Sequence, residues 1–254
     1  MIVNTIASKL RYLSCLASVL ALVTLLPLSA VSAQSSPSRE ALAWLAYFGR
    51  VDLTSRWYAT GEFHERRWLD PFRVHQRLTR THLQRRLAGG LSLGVGYTYF
   101  QQGVQDPERP ALPLVNEHRP HVQADLSQAV TPRFTINHRL RGEWRAVPVT
   151  AAGRALDGEY THAGRARYRF GVDTRLTSRF GAPLLRISDE YHVMFADRPV
   201  SFDQNRLQAG IDWRLSRDVT LETAYLWWHQ RLRNGAIVNR DYIRLSINHR
   251  IVRR

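Results

Sequence analysis

Between Asp203 and Asp212 the chain alternates strictly, with Leu207, Ala209 and Ile211 on one side and Gln204, Arg206, Gln208, Gly210 and Asp212 on the other. Successive side chains of an extended strand point to opposite faces, so this segment carries an apolar row backed by a charged one. The same period recurs and predicts ten strands: Arg56 to Trp68, Val74 to Leu87, Leu91 to Gln101, Asn116 to Gln128, Phe134 to Arg145, Tyr160 to Thr174, Leu184 to Phe195, Asp203 to Leu215, Val219 to Gln230 and Asn239 to Val252. The faces are clearest where Phe134, Ile136, His138, Leu140 and Trp144 oppose Asn137, Arg139, Arg141, Glu143 and Arg145. Alternation slips between Leu78 and Leu83, which predicts a bulge there. Trp44 to Leu53 is an eleventh candidate, read as a strand extension or a piece entering the lumen, because an even count brings both chain ends to one side.

The connections fall into two kinds. Ala88-Gly89-Gly90, Ala129 to Pro132 and Ser216-Arg217-Asp218 are tight, whereas Gly103 to Val115, Ala146 to Glu159, Ala196 to Ser201 and Arg231 to Val238 are longer and alternate with them. Leu176 to Pro183 is a longer connection on the short side. Short turns on one side, long loops on the other and apolar rows set against charged ones are the signature of an all-β, antiparallel, up-and-down transmembrane barrel of about ten strands, in the range eight to twelve. Tyr97, Tyr99, Trp144, Trp213, Trp227, Trp228 and Tyr242 gather near strand ends and are expected in interfacial girdles. The rival fold is a soluble barrel or sandwich with the apolar row inside, and periodicity alone does not separate the two.

Composition changes the picture at the N-terminus. Lys9 and Arg11 precede an apolar run from Leu13 to Leu28, and Val31-Ser32-Ala33 is a small-x-small cleavage site, so residues 1–33 are expected to be a removed signal peptide. Residues 34–55 are then an N-terminal segment and 56–254 the barrel. Cys15, the only cysteine, goes with the leader, which excludes disulfides and thiolate metal sites from the exported chain. The net charge of +15 falls to about +13, carried by Arg because Lys9 is the only lysine. Arg sits singly at alternate positions rather than in runs, which argues against nucleic acid. No later stretch approaches the length of an apolar membrane helix.

Taken in order, Trp44, Glu62 with Arg66, Gly94-Val95-Gly96-Tyr97, Asn116-Glu117-His118-Arg119 with Gln123, Arg139-Leu140-Arg141-Gly142-Glu143, Arg165-Ala166-Arg167-Tyr168-Arg169, Asp189-Glu190-Tyr191 and Phe202-Asp203-Gln204-Asn205-Arg206 with Gly210 span nearly the whole exported chain. In these features the sequence resembles the bacterial family catalogued as domain of unknown function 2490, a set of predicted outer-membrane β-barrel proteins. The resemblance implies fold and location and brings no activity and no catalytic residues; outer-membrane lipid, lipopolysaccharide and the barrel-assembly machinery are the partners expected of a barrel in that place. One departure is the end Ile251-Val252-Arg253-Arg254, where many outer-membrane strands finish on an aromatic residue.

A barrel of this size has an interior that side chains largely fill. Glu62, Asp125, Arg139, Arg141, Glu143, Arg165, Arg167, Asp173, Glu190, Arg206, Asp212, Arg214, Glu222, Arg244 and Arg250 are expected to face it and pair across it as a salt-bridge plug. The alternative is a narrow anion-preferring path or anionic-ligand site, from the excess of Arg. A third reading is an outer-membrane hydrolase, for which Glu62, His64 and Glu65, then Asp189, Glu190 and His192, then His229 near Ser201 and Asp203 are the candidates at the rim. No hydrolase motif strengthens them, and no cofactor or metal is expected. Arg109, Arg119, Arg154, Arg198, Arg231 and Arg233 are rim candidates for lipopolysaccharide phosphates.

Overall fold

The computed structural model describes residues 38–110, 112–151, 154–177, 182–195, 200–232 and 234–252. The expected signal peptide lies outside the described residues. Eleven strands are formed: β1 (Ser38–Asp52), β2 (Trp57–Trp68), β3 (Arg73–Arg86), β4 (Leu91–Gln102), β5 (Val115–Ala129), β6 (Phe134–Ala151), β7 (Arg154–Arg175), β8 (Leu184–Phe195), β9 (Ser201–Arg214), β10 (Val219–Arg231) and β11 (Ile237–Ile251). They pair in chain order as an antiparallel meander, and β1 then pairs with β11 to close a barrel. That last pair is parallel, from Ser38 opposite Val238 to Val51 opposite Ile251.

Eleven strands fall within the expected eight to twelve, one more than the ten read individually, and the wholly antiparallel order is corrected by the parallel closing pair. The N-terminal segment is a full barrel strand, and the barrel begins before residue 56. Both faces of β1 carry apolar residues: Leu42 and Trp44 are buried inside while Leu45 and Tyr47 are exposed outside. No apolar-against-charged contrast marks it as a strand. An odd sheet closes when its first and last strands run parallel, so the chain enters β1 at the end bearing the 103–114 loop and leaves β11 at the opposite, short-turn end. Expected long loops differ too. Ala146 to Glu159 is paired almost to its tip, with Thr150 opposite Ala155 and Ala151 opposite Arg154. Pairing of β5 with β6 stops at Ala146 and pairing of β7 with β8 starts at Gly164, so this ribbon projects beyond the barrel.

Register irregularities sit elsewhere than the pattern predicts. Between β2 and β3 the shift lies at Arg66/Arg67, opposite Gln76 and Val74, and leaves His75 as the extra residue. Leu78 to Leu83 pair regularly; the apparent slip arose because Leu78 is an apolar side chain buried on the inner face. A second bulge, at His192/Val193, makes Asp203 the extra residue of β9. At both sites two consecutive side chains are buried, His75 with Gln76 and Asp203 with Gln204. A bulge turns an otherwise outward position inward, and here it adds a polar group to the lumen each time.

The sheet is inside-out relative to a soluble barrel. Val95, Val122, Leu140 and Ile243 are each more than half exposed on the outer face, while Arg141, Glu143, Arg165 and Glu190 are buried within. The inner face is crowded enough to require glycine: a Cβ on Gly96 would lie 2.5 Å from both the Thr81 carbonyl oxygen and His121 Nε2. Gly96→Ala is expected to lower unfolding stability in detergent by about 1–3 kcal/mol through overpacking. Gly61→Ala, whose Cβ would meet nothing within 4 Å, is expected to be neutral or slightly stabilising.

Candidate functional site

Inward positions share one parity along each regular stretch of strand, and Arg, acid and amide side chains from neighbouring strands meet there. Glu143 on β6 accepts from Arg165 Nε at 2.9 Å and from Arg167 Nη1 at 2.7 Å, both on β7. Arg167 forks onward to the two oxygens of Glu190 on β8 at 2.9 and 2.7 Å. Arg165 reaches Asp203 on β9 at 3.3 Å, and Arg206 stands 3.8 Å from Glu190. Charges thus alternate around four consecutive strands, a geometry that suits the planar guanidinium fork.

Smaller groups fill the remaining wall. Glu62 accepts from Arg80 at 2.7 Å and contacts His64 at 3.0 Å. Asp125 pairs with Arg139 at 2.9 Å, and Asp173 and Asp212 share Arg186 at 3.1 Å each. Glu222 lies 3.6 Å from Arg244, and Gln208 bonds both. Arg141 donates to Gln123 at 2.7 Å, with its closest acid, Glu143, at 3.8 Å. Two expected members lie elsewhere: Arg214 donates to the turn carbonyls of Ser216 and Arg217, and Arg250 meets Asp52 at the short-turn mouth at 2.9 Å. Glu117 with Arg119 and Arg145, Glu40 with Arg240, and Arg80, Arg186 and Asp203 belong to the interior but were absent from the expected lumen set. For Glu117, Arg119 and Arg186, parity with already assigned neighbours was the available signal. Arg119 is accordingly a lumen residue and not a rim one. Arg198 and Arg233, and the Arg154 side chain, fall outside the described residues.

The hydrolase candidates are not assembled at a rim. Trp44 donates its indole N–H to His64 Nδ1 at 3.0 Å. An indole nitrogen only donates, so the His64 proton sits on Nε2 and is given to Glu62. His192 is likewise held at both ring nitrogens, by Glu190 at 3.0 Å and Gln204 at 2.7 Å. Glu65 faces outward between Arg67 and Arg77, and Asp189 accepts from Asn205 on the outer surface. His229 bonds Asn239, whereas Asp203 bonds Arg165. Among the described residues no group of three His, Cys, Asp or Glu is placed to hold a metal ion.

Above this ionic belt lies an aromatic chamber of Leu42, Trp44, Trp68, Leu226, Trp228 and Tyr242. Trp228 and Tyr242 are thus buried in the lumen, correcting their expected place in an outer girdle; Trp144, Tyr97 and Trp213 are exposed. The girdle assignment failed because Trp227 and Trp228 are adjacent and only one can face out. Residues 103–110 fold over the mouth above: the Gln105 side chain accepts from Arg240 at 3.2 Å, and Arg73 donates to the carbonyls of Asp106, Pro107 and Arg109 at 2.9, 2.7 and 2.6 Å. At the opposite end a vestibule of about 580 Å³ opens, with Arg50, Arg86 and Arg250 around Asp52 at its rim and Glu62, His82 and Gln123 in its wall.

A family model described as "Protein of unknown function (DUF2490)" matches residues 41–239. No curated protein matches the sequence. The β domain of the Bordetella autotransporter BrkA is a similar solved structure, 13% identical with a TM-score of 0.40, over 73% of this chain and 81% of that one.

Glu143→Ala is expected to leave Arg165 with only Asp203 and Arg167 with only Glu190, and to cost about 3 kcal/mol, the lower end of the loss on breaking a buried pair. Asp52→Ala, at the open mouth, is expected to cost far less. Urea unfolding of the refolded variants, followed by tryptophan fluorescence, checks both.

Proposed function

The chain belongs to the DUF2490 family, and from that premise we propose that it is a bacterial outer-membrane β-barrel, exported on a cleaved signal, whose lumen is an ion-paired plug rather than a channel. The observation that carries the reading is the inverted distribution of polarity, with exposed Leu, Val and Ile around the outer face and buried Arg–carboxylate pairs within. A lipid environment demands such a face, and a closed sheet leaves no unpaired edge in it. The plug is supported by the belt from Glu143 to Glu190 and by the loop held down by Arg73 and Arg240. Exposed Arg109 at the loop end and outer-membrane lipopolysaccharide are chemically matched, and folding would be assisted by the barrel-assembly machinery.

A second reading has its own observation: the vestibule at the short-turn end is large enough for a small solute and lined by Arg50, Arg86, Arg139 and Arg250. It fits an anionic ligand reaching the barrel from the periplasmic side. The hydrolase reading has no such support, since His64 and His192 are engaged at both nitrogens.

The protein is expected in the outer-membrane fraction and to shift mobility on boiling in detergent gels; soluble recovery with no shift would sink the location. In planar bilayers it is expected to give no steady conductance, and a stable anion-selective current would replace the plug with a pore. Leu140→Arg, on the outer face, is expected to cost about 2–4 kcal/mol in lipid vesicles.

A further inference from the structure

The aromatic chamber holds cations that the ionic belt does not neutralise. Arg66 is 4% exposed, and among the described residues its partners are the Gln76 side-chain oxygen and the faces of Trp44, at 3.9 Å, and Trp228, at 5.1 Å. No carboxylate among those residues is within ion-pair distance of it. Arg206 approaches the same Trp228 ring at 3.8 Å and has Glu190 at 3.8 Å, an acid already forked by Arg167. Arg244 lies 4.7 Å from the Trp44 ring, with its acid, Glu222, at 3.6 Å. Arg66 therefore feels the like charge of Arg206, and of Arg80 and Arg119 beyond it.

Most of the buried polar atoms left unpaired around the chamber are donors, the His75 ring against Trp68 and the amide oxygen of Gln204 being among the exceptions. Arg66 Nε, Arg206 Nε, Arg244 Nε and Trp228 Nε1 have no side-chain or backbone partner, and neither does the Tyr242 hydroxyl. The first four can only donate, and the fifth can. Their rings and guanidiniums are mutual neighbours, Trp228 stacking on Tyr242 at 5.5 Å and Tyr242 meeting Trp44 at 5.8 Å. Donors gathered on side chains that carry net positive charge favour a group that accepts and is negative. Water can satisfy these donors and give a proton to the Tyr242 hydroxyl, but it leaves the charge of Arg66 without a counter-charge. Trp44, Trp228 and Tyr242 are all nearly fully buried, so a group held among them must be small and is shielded from solvent. A buried charge without a partner is costly, so the counter-ion is part of what makes Arg66 tolerable.

We propose that the Arg66–Arg206–Trp228–Tyr242 cage binds a small inorganic anion of the halide class as the fixed counter-ion of the lumen. Residues 103–110, bonded through Gln105 to Arg240, lie above the chamber, so the ion exchanges slowly and is structural rather than transported. The inference stands on the chamber and not on whether the barrel conducts, and its test uses no current measurement.

The full-length refolded barrel in non-ionic detergent is melted in sodium chloride, bromide and gluconate at matched ionic strength. A ligand bound only by the folded state adds stability with the logarithm of its concentration, and an upward shift of about 3 °C in chloride or bromide over gluconate is expected. Arg66→Gln is expected to abolish the difference. Trp228→Phe keeps the ring and removes one donor, and is expected to raise the chloride concentration needed for the same shift several-fold; it decides the matter if Arg66→Gln does not fold. Coincident melting in chloride and gluconate would overturn the proposal, showing that stacking on Trp44 and Trp228 suffices for Arg66. So would a linear salt dependence that Trp228→Phe retains unchanged, which is the behaviour of ions acting on the whole surface.

Discussion

A closed sheet of eleven strands encloses so little space that every guanidinium pointing into it must find its compensation within one side-chain length. This requirement shapes the interior more than any single pair does. Glu143 serves Arg165 and Arg167, and Arg167 in turn holds Glu190, so acids are shared rather than matched one to one. Amides take up part of the load where acids run short, as Gln123 does for Arg141 and Gln76 for Arg66. Aromatic faces take up more, with Arg119 at 3.7 Å from the Phe100 ring. Crowding then dictates the backbone, because Gly94 and Gly96 are small where Gln84, His82 and His121 must pass.

The lumen is graded along its axis. Loosely packed, solvent-reached pairs around Asp52 stand at the short-turn mouth; the dense belt of Glu143, Arg165, Arg167 and Glu190 occupies the middle; the aromatic chamber lies beneath the long loop. The two polar bulges, at His75 and Asp203, lie toward that loop end, where β3 begins after the 69–72 turn and β9 begins after residue 200. Each supplies an additional inward group at the level where the loop folds in.

Period-two alternation was legible wherever one row is charged and the other apolar, and β8, β9 and β11 follow from it to within two residues. It failed where that contrast is absent. Both rows of β1 are apolar because its inner side chains, Leu42 and Trp44, build the aromatic chamber, so the strand looked like an appendage. Pro148, Gly153 and Gly158 made the β6–β7 ribbon look like a loop, although backbone pairing needs no particular side chain. For the site, parity located the charged residues but not their partners: nothing in the sequence says that Arg186 bridges Asp173 and Asp212, or that His64 is shut between Trp44 and Glu62. Those relations depend on the stagger between strands, which alternation does not encode.

Ten of the eleven strand pairings join neighbours in the chain, and the eleventh joins Ser38 to Val238 across nearly its whole length. Hairpins close over short loops at small entropic cost, but this seam cannot form until the last strand exists. Until then β1 and β11 are free edges, and the chamber of Trp44, Trp228 and Tyr242 stands open to whatever surrounds the folding chain. Burial of these aromatics and completion of the seam are thus one event, so the interior comes into being only when the two ends of the meander meet.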